Sequence, residues 1–381
     1  MTIVRAGAHL TYPHTNGFHD DGQHLAIARY DPREGTIGIS TIPWPAGAAN
    51  GPAGSALDDS PAVERVVCAL PWAGTPHPVW FDVAADANLI VWVRDDALHL
   101  RDLTQWTAAV RLYAAPAGAV LDGLCSITAD GRRVAVVEHH PPDGSYRLLE
   151  ICSATGAAQE LARLPWHANH VQFSPHTPDW IGFAHEGPAR QTPDRIWACH
   201  DPSGPEPRCV VDQWRLSEQP GGFVAAGHER WMFHDVGMVF CAYGESDAGP
   251  RGIYTAWPDG PAPRLVVLGD RFWHCDISRD GQWIVADTQG PYDGASSTTD
   301  VHASSSRGPR STTGHVSDVV LVDVQSGHTA HLARTWASRH PHHPHPVFSP
   351  DGQAVLYNHT DRATGDVSIA SVPMPFPPKV A

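Results

Sequence analysis

The chain has 381 residues, 42% of them hydrophobic and 18% charged, a globular composition long enough for two or three ordinary domains or one large all-β domain. Its formal net charge of −15 argues against nucleic acid and anionic membrane surfaces as partners, and no apolar run reaches the length of a membrane span. The seven cysteines, at 68, 125, 152, 199, 209, 241 and 275, are scattered and form no Cys-x-x-Cys pair. The stretch from Met1 to His9 lacks the apolar core of a secretory signal, so reduced thiols and a cytoplasmic location are expected.

Proline (35) and glycine (34) are abundant, and amphipathic helical periodicity is nearly absent. What recurs is a short apolar strand, an Asp-Gly-type turn, and a second apolar strand. In chain order the unit appears at Phe18–Gly22 leading into Leu25–Ala28, and at Ile127–Gly131 leading into Val134–Val137. It returns at Ile277–Gly281 before Trp283–Ala286, and at Phe348–Gly352 before Ala354–Tyr357. Degenerate copies lie at Val79–Leu89, Val171–Phe183 and Phe223–Phe233. The turn centres fall near 22, 88, 131, 179, 229, 281 and 352, mostly spaced by the ~40–50 residues of a four-stranded propeller blade. Further short strands follow each pair, among them Leu98–Leu103, Arg147–Ile151, Arg195–Cys199, Gly252–Ala256, Asp318–Val324 and Asp366–Val372. The expected fold is all-β, one seven-bladed β-propeller over residues 1–381; a two-domain β protein is the alternative. The two long gaps hold loop-like insertions at Pro43–Pro61 and 291–315, the latter a Ser/Thr/Gly stretch expected to be mobile.

The chemistry-bearing tract is Arg339-His340-Pro341-His342-His343-Pro344-His345-Pro346, directly ahead of a Phe-Ser-Pro-Asp-Gly element. On an extended backbone His343 and His345 point to one side, and the prolines deny helix. Neutral imidazoles converging at a strand entrance suit a transition metal; the bland reading is a His-rich tract that binds metal adventitiously. Near the starts of two other blades, His14 with Asn16 and His170 with Gln172 either line a pocket or shape turns. Most of the fourteen tryptophans must be blade packing, with Trp166, Trp231 and Trp273 the candidates for sugar stacking.

Four segments resemble the oligogalacturonate lyases of polysaccharide lyase family 22. They are His185-Glu186-Gly187-Pro188 with Asp194-Arg195-Ile196-Trp197, Gly227-His228-Glu229-Arg230-Trp231, Trp273-His274-Cys275-Asp276, and His343-Pro344-His345-Pro346. The resemblance covers about residues 165 to 375; the N-terminal half matches only in blade rhythm. It implies a seven-bladed propeller acting inside bacterial cells, with a divalent metal, usually manganese, on three histidines and a glutamine. The histidines match His274, His343 and His345. His340 stands where the family has glutamine, and a four-imidazole site would be softer, favouring Fe, Co, Ni or Zn. The family's proton-abstracting base matches His228 and its substrate-binding arginine Arg195. His185 and Trp231 are further substrate-contact candidates, and Glu186 is expected behind them, supporting an imidazole or Arg195.

The expected activity is β-elimination on a short acidic oligosaccharide, oligogalacturonide first, leaving a 4,5-unsaturated uronate. Another uronate linkage, such as rhamnosyl-glucuronate, competes with it. So does a non-catalytic ligand- or protein-binding propeller, which predicts no stoichiometric metal. Seven-bladed iron oxygenases also use four histidines, but one per blade, whereas His340, His343 and His345 crowd one tract.

Overall fold

The computed structural model describes residues 1–12, 17–31, 34–44, 64–71, 79–200, 206–244, 246, 248–292, 314–337 and 341–376. Among these there is no helix, and hence none long and apolar enough to cross a membrane. The strands form seven sheets, the blades of a β-propeller. Blade 1 runs from Ala8–His9 and Phe18–His19 through His24–Asp31 and Thr36–Pro43 to Arg65–Pro71. Blades 2 and 3 open with Phe81–Ala84 and Val120–Ile127, blade 4 with Ala168–Phe173, blade 5 with Ala226–Trp231 and blade 6 with Phe272–Ile277. Blade 7 starts at Val347–Phe348, continues through Ala354–Thr360 to Val367–Pro373, and is completed by Thr2–Ala6 as its outermost strand.

The repeated turn explains much of this regularity. Thr128, Ser278 and Ser349 each donate a hydroxyl hydrogen to the Asp two residues on, at 2.6 Å. Asp130, Asp280 and Asp351 then accept the N–H two residues further, at 3.1 Å. The glycine between has φ of 74°, 70° and 66° in the three turns, a left-handed conformation that any side chain resists. The Ser/Thr-x-Asp-Gly sequence is therefore a hairpin in itself.

Seven apolar clusters form, one at each seam between successive blades. Each fully buried large side chain there is worth ~1.5–3 kcal/mol of transfer free energy. Polar latches cross the same seams. Asp82 accepts from the Ile127 N–H at 2.8 Å, Gln172 from the Trp231 N–H at 3.2 Å, and Asp276 from the Phe348 N–H at 2.9 Å. Arg230 meets the second oxygen of Asp276 at 2.8 Å. Gln172 is thus a blade-to-blade latch.

The insertions expected at Pro43–Pro61 and 291–315 fall mainly on 45–63 and 293–313, outside the described residues, as do His14 and Asn16.

Candidate metal centre and active site

Four successive blades place a histidine at the same point of their innermost segment, three residues ahead of a buried large apolar side chain. These are His170 before Phe173, His228 before Trp231, His274 before Ile277 and His345 before Phe348. In blades 4, 5 and 6 the pairing slips there, between Asn169 and Gln172, Gly227 and Arg230, and Phe272 and Cys275. Such bulges re-aim a side chain. His170, His228 and His345 take φ of 57°, 52° and 43°, a left-handed backbone that costs a non-glycine residue about 1–2 kcal/mol. Bulges in blades 4, 5 and 6 and left-handed turns in blades 4, 5 and 7 bring the four imidazoles together, successive ring centroids lying 6.2, 3.9 and 3.9 Å apart.

His274 is the hub. Its ring centroid lies 3.9 Å from that of His228, 3.9 Å from that of His345 and 5.5 Å from that of His343. Ligand nitrogens of His274, His343 and His345 all lie within 4.8 Å of one another. Asp287, wholly buried on the strand Trp283–Thr288, accepts from His274 Nδ1 at 2.7 Å (Oδ2) and from the His274 N–H at 2.9 Å (Oδ1). Its Oδ2 also accepts the His345 N–H at 3.0 Å. A carboxylate on the far nitrogen of an imidazole fixes its tautomer and makes the other nitrogen a better ligand. That other nitrogen, His274 Nε2, is buried with no hydrogen-bond partner among the described residues. An imidazole trio with an orphaned buried nitrogen, backed by a carboxylate, fits a divalent transition metal.

His343 and His345 do converge, but not on an extended backbone. The strand begins only at Val347, and the left-handed turn at His345, tied to Asp287, sets their rings at 89° with centroids 5.7 Å apart. Asn358 anchors the approach by donating to the His343 carbonyl and giving its N–H to that of Pro344, at 2.9 and 2.7 Å. His342 turns away to pack on His9 and Tyr30, and burial pushes its pKa down to about 4. His340 lies outside the described residues.

His228 is the imidazole beside the trio. Burial, then the neighbouring His274 and His345, push its pKa well below the ordinary histidine value, so it is held neutral. Tyr12, from blade 1, meets its Nδ1 at 3.2 Å.

Arg195 reaches under His228 because Gly227 has no side chain: a Cβ there would lie 2.7 Å from Arg195 Nε and 2.6 Å from Tyr243 Oη. The buried Arg195 guanidinium grips Glu186 through both terminal nitrogens, at 2.8 and 3.3 Å. Its Nε lies 3.9 Å from Glu229. Burial opposes its charge, but Glu186 and Glu229 outweigh that and hold its pKa above the usual arginine value. Glu186 also takes His170 Nε2 at 2.9 Å; burial raises its pKa, yet His170 and Arg195 together hold it far below the usual carboxylate range. Glu229 is fully buried, and there burial prevails and pushes its pKa up.

Two sequence candidates fall outside this arrangement. Trp231 is 1% exposed; it packs in the seam between blades 4 and 5 with Trp180, Ile196 and Met238 and donates Nε1–H to the Gln172 carbonyl at 3.1 Å. A residue three places after the bulged His228 faces the seam, so no sugar reaches it. His185 stacks on Trp166, centroids 4.4 Å apart, and pairs through Nδ1 with Asp194 at 3.0 Å, while its neighbour Glu186 turns into the cluster. Trp273 remains at the trio, half-buried, 4.1 Å from the His343 ring. Sequence reasoning missed Asp287 and Tyr12 and left His170 ambiguous; the shared spacing to the next large apolar residue was the available signal for His170.

No family model matches the chain, and no curated protein does. Among solved structures it is similar to an oligogalacturonate lyase in complex with manganese, with TM-score 0.72 at 18% identity over 97% of this chain and 91% of that one. It is also similar to an oligogalacturonate lyase from Vibrio parahaemolyticus, with TM-score 0.71 at 17% identity over 97% and 92%. A putative TolB from Agrobacterium tumefaciens matches at TM-score 0.47 and 16% identity over 82% and 95%. The likeness to the two lyases is one of fold, a seven-bladed propeller along nearly its whole length.

Proposed function

We propose that the protein is a metal-dependent lyase that cleaves short uronate-containing oligosaccharides by β-elimination, with oligogalacturonides the first candidates. One observation carries the reading: three imidazoles able to hold a metal, His274, His343 and His345, stand against a fourth, His228, kept neutral by its surroundings. The two lyases of like fold support it, and one of them binds manganese.

In this reading His274, His343 and His345 would hold a divalent metal, manganese first, with Fe, Co, Ni or Zn as alternatives, and His340 would be the fourth ligand. A metal held there would supply positive charge near a uronate carboxylate, which favours negative charge at the adjacent C5. His228 takes the C5 proton, a step typically worth ~10²–10⁴-fold. The C4–O bond then breaks, the 4,5-double bond forms and the departing oxygen takes up a proton to become a hydroxyl, while His228 releases the one it took, so no water is consumed. Arg195 lends charge to the pocket, but its fork is already filled by Glu186, so a substrate carboxylate must share it. With Arg195 matched by Glu186, the pocket's free positive charge would come from the metal, which explains how an acidic protein takes an acidic sugar.

Ultraviolet absorbance of the conjugated unsaturated uronate is the test, with manganese-loaded protein on di- and trigalacturonate and on other uronate disaccharides. A rise abolished by a chelator supports the reading and identifies the linkage. No rise on any uronate, with no metal bound, would leave a ligand-binding propeller.

A further inference from the structure

The spacing that places the four imidazoles recurs in blade 2, where the residue is a tryptophan. Each of the blade-to-blade latches Gln172 and Asp276 lies two places after a pocket histidine, His170 and His274, just as the latch Asp82 lies two places after Trp80. The N–H groups these latches accept belong to Trp231, Phe348 and Ile127, the first two three places after His228 and His345. Trp80 therefore holds in blade 2 the position that His170, His228, His274 and His345 hold in blades 4 to 7. In a ring of seven blades, blade 2 stands across the axis from blades 5 and 6, which carry His228 and His274.

The local packing agrees. Trp80 is half-buried, and the Tyr12 ring links it to the site, with centroids 5.0 Å from Trp80, 5.4 Å from His345 and 6.1 Å from His228. Tyr12 and His9 meet the indole at 79° and 75°, so neither stacks flat on it. Gly123, opening blade 3, lies along its edge, where a Cβ would stand 3.5 Å from Trp80 Cδ1. The imidazole side of the site is polar, while Trp80 and the buried Leu124 of blade 3 make the other side apolar. A pyranose is divided in the same way, with hydroxyls and carboxylate around its edge and C–H groups on its faces. A flat indole gives those C–H groups broad contact at little entropic cost and without charge.

We propose that Trp80 is a sugar-binding residue of this pocket, its indole receiving the C–H face of the sugar unit next to the uronate held at His274, His343 and His345. The proposal rests on the lyase reading for the identity of that uronate. Trp80 lies outside the segments that carry the family resemblance. The contact is indifferent to charge, so it serves an acidic or a neutral neighbouring sugar alike.

The test has two arms. Trp80→Leu keeps apolar bulk against Tyr12 and removes the flat face, and Trp80→Phe restores one. On whichever uronate the wild type cleaves, Trp80→Leu should raise KM about two- to tenfold with metal content kept, and Trp80→Phe should recover most of the loss. A wild-type KM in Trp80→Leu, or a loss confined to kcat, overturns the proposal and leaves the lyase reading standing. The second arm needs no turnover. Trigalacturonate and a rhamnosyl-glucuronate disaccharide are titrated by calorimetry into manganese-loaded His228→Gln protein, with and without Trp80→Leu. The dissociation constant of the sugar that binds should rise by the same factor, and equal constants overturn the proposal. Weaker binding in Trp80→Leu, where the wild type eliminates no uronate, supports the Trp80 contact and counts against the lyase reading. Binding of neither sugar overturns the proposal.

Discussion

One carboxylate, Asp287, binds the side chain of His274 and the backbone of His345, accepting from Nδ1 of the first at 2.7 Å and from N–H of the second at 3.0 Å on the same oxygen. It links blade 6 to the loop before blade 7, so the direction in which His274 points and the turn that aims His345 are set by one buried group. Removing its charge should loosen the trio without touching a ligand. Asp287→Asn is expected to weaken metal affinity ~10–100-fold, measured by competition with a chelating dye. Affinity equal to wild type would show that the trio is held by other means.

Ligand and base separate by their effect on metal content. His274→Ala should lose bound metal and activity together. His228→Gln should keep its metal and lose ~10²–10⁴ in kcat. Metal analysis beside steady-state kinetics makes the distinction, and loss of metal from His228→Gln would move that residue into the ligand set.

Trp231 should matter to stability and not to substrate. Its ring is enclosed so tightly that a Cβ on Gly182 would lie 2.8 Å from its Nε1. Trp231→Ala is expected to cost ~3–5 kcal/mol in denaturant unfolding, while KM of the variant, assayed where it is folded, stays at the wild-type value. A raised KM at unchanged stability would return Trp231 to the pocket.

The Glu186–Arg195–His170 group makes a pH prediction. The folded-state pKa of Glu186 is depressed below its ordinary 4.5, so the native state favours the carboxylate. Its stabilising contribution is fully present above that value and is lost as pH falls through it towards the lower folded-state pKa. Glu186→Gln should therefore lower Tm at neutral pH, and the gap to wild type should narrow in acid. A gap that holds constant or widens in acid contradicts the assignment.

The fold was legible because its signals are local. Each Ser/Thr-x-Asp-Gly turn closes within six residues, and the apolar strands around it need no distant partner to be recognised. Thr2–Ala6 was not legible as the strand completing blade 7, since its pairing with Val367–Pro373 joins opposite ends of the chain. In the site, the His-Pro-His tract and His274 were readable from residue type, spacing and resemblance. Asp287 was hidden at the end of the apolar run Trp283-Ile284-Val285-Ala286, and Tyr12 lies 216 residues and four blades away from His228 in sequence. The reading of His343 and His345 as extended reached the convergence by the wrong geometry, because His345 turns left-handed, with its N–H bonded to Asp287, where an extended strand was expected. Trp231 was misjudged because a strand bulge shifts which residues face the pocket, and bulges leave little trace in a single sequence.

The central claim is that His274, His343 and His345 together hold a metal that the protein needs. Its most direct test is metal stoichiometry after manganese loading and desalting, in wild type and in His343→Ala. The account predicts about one equivalent per chain in the wild type and little in the variant. Equal content in both, or none in either, would contradict it.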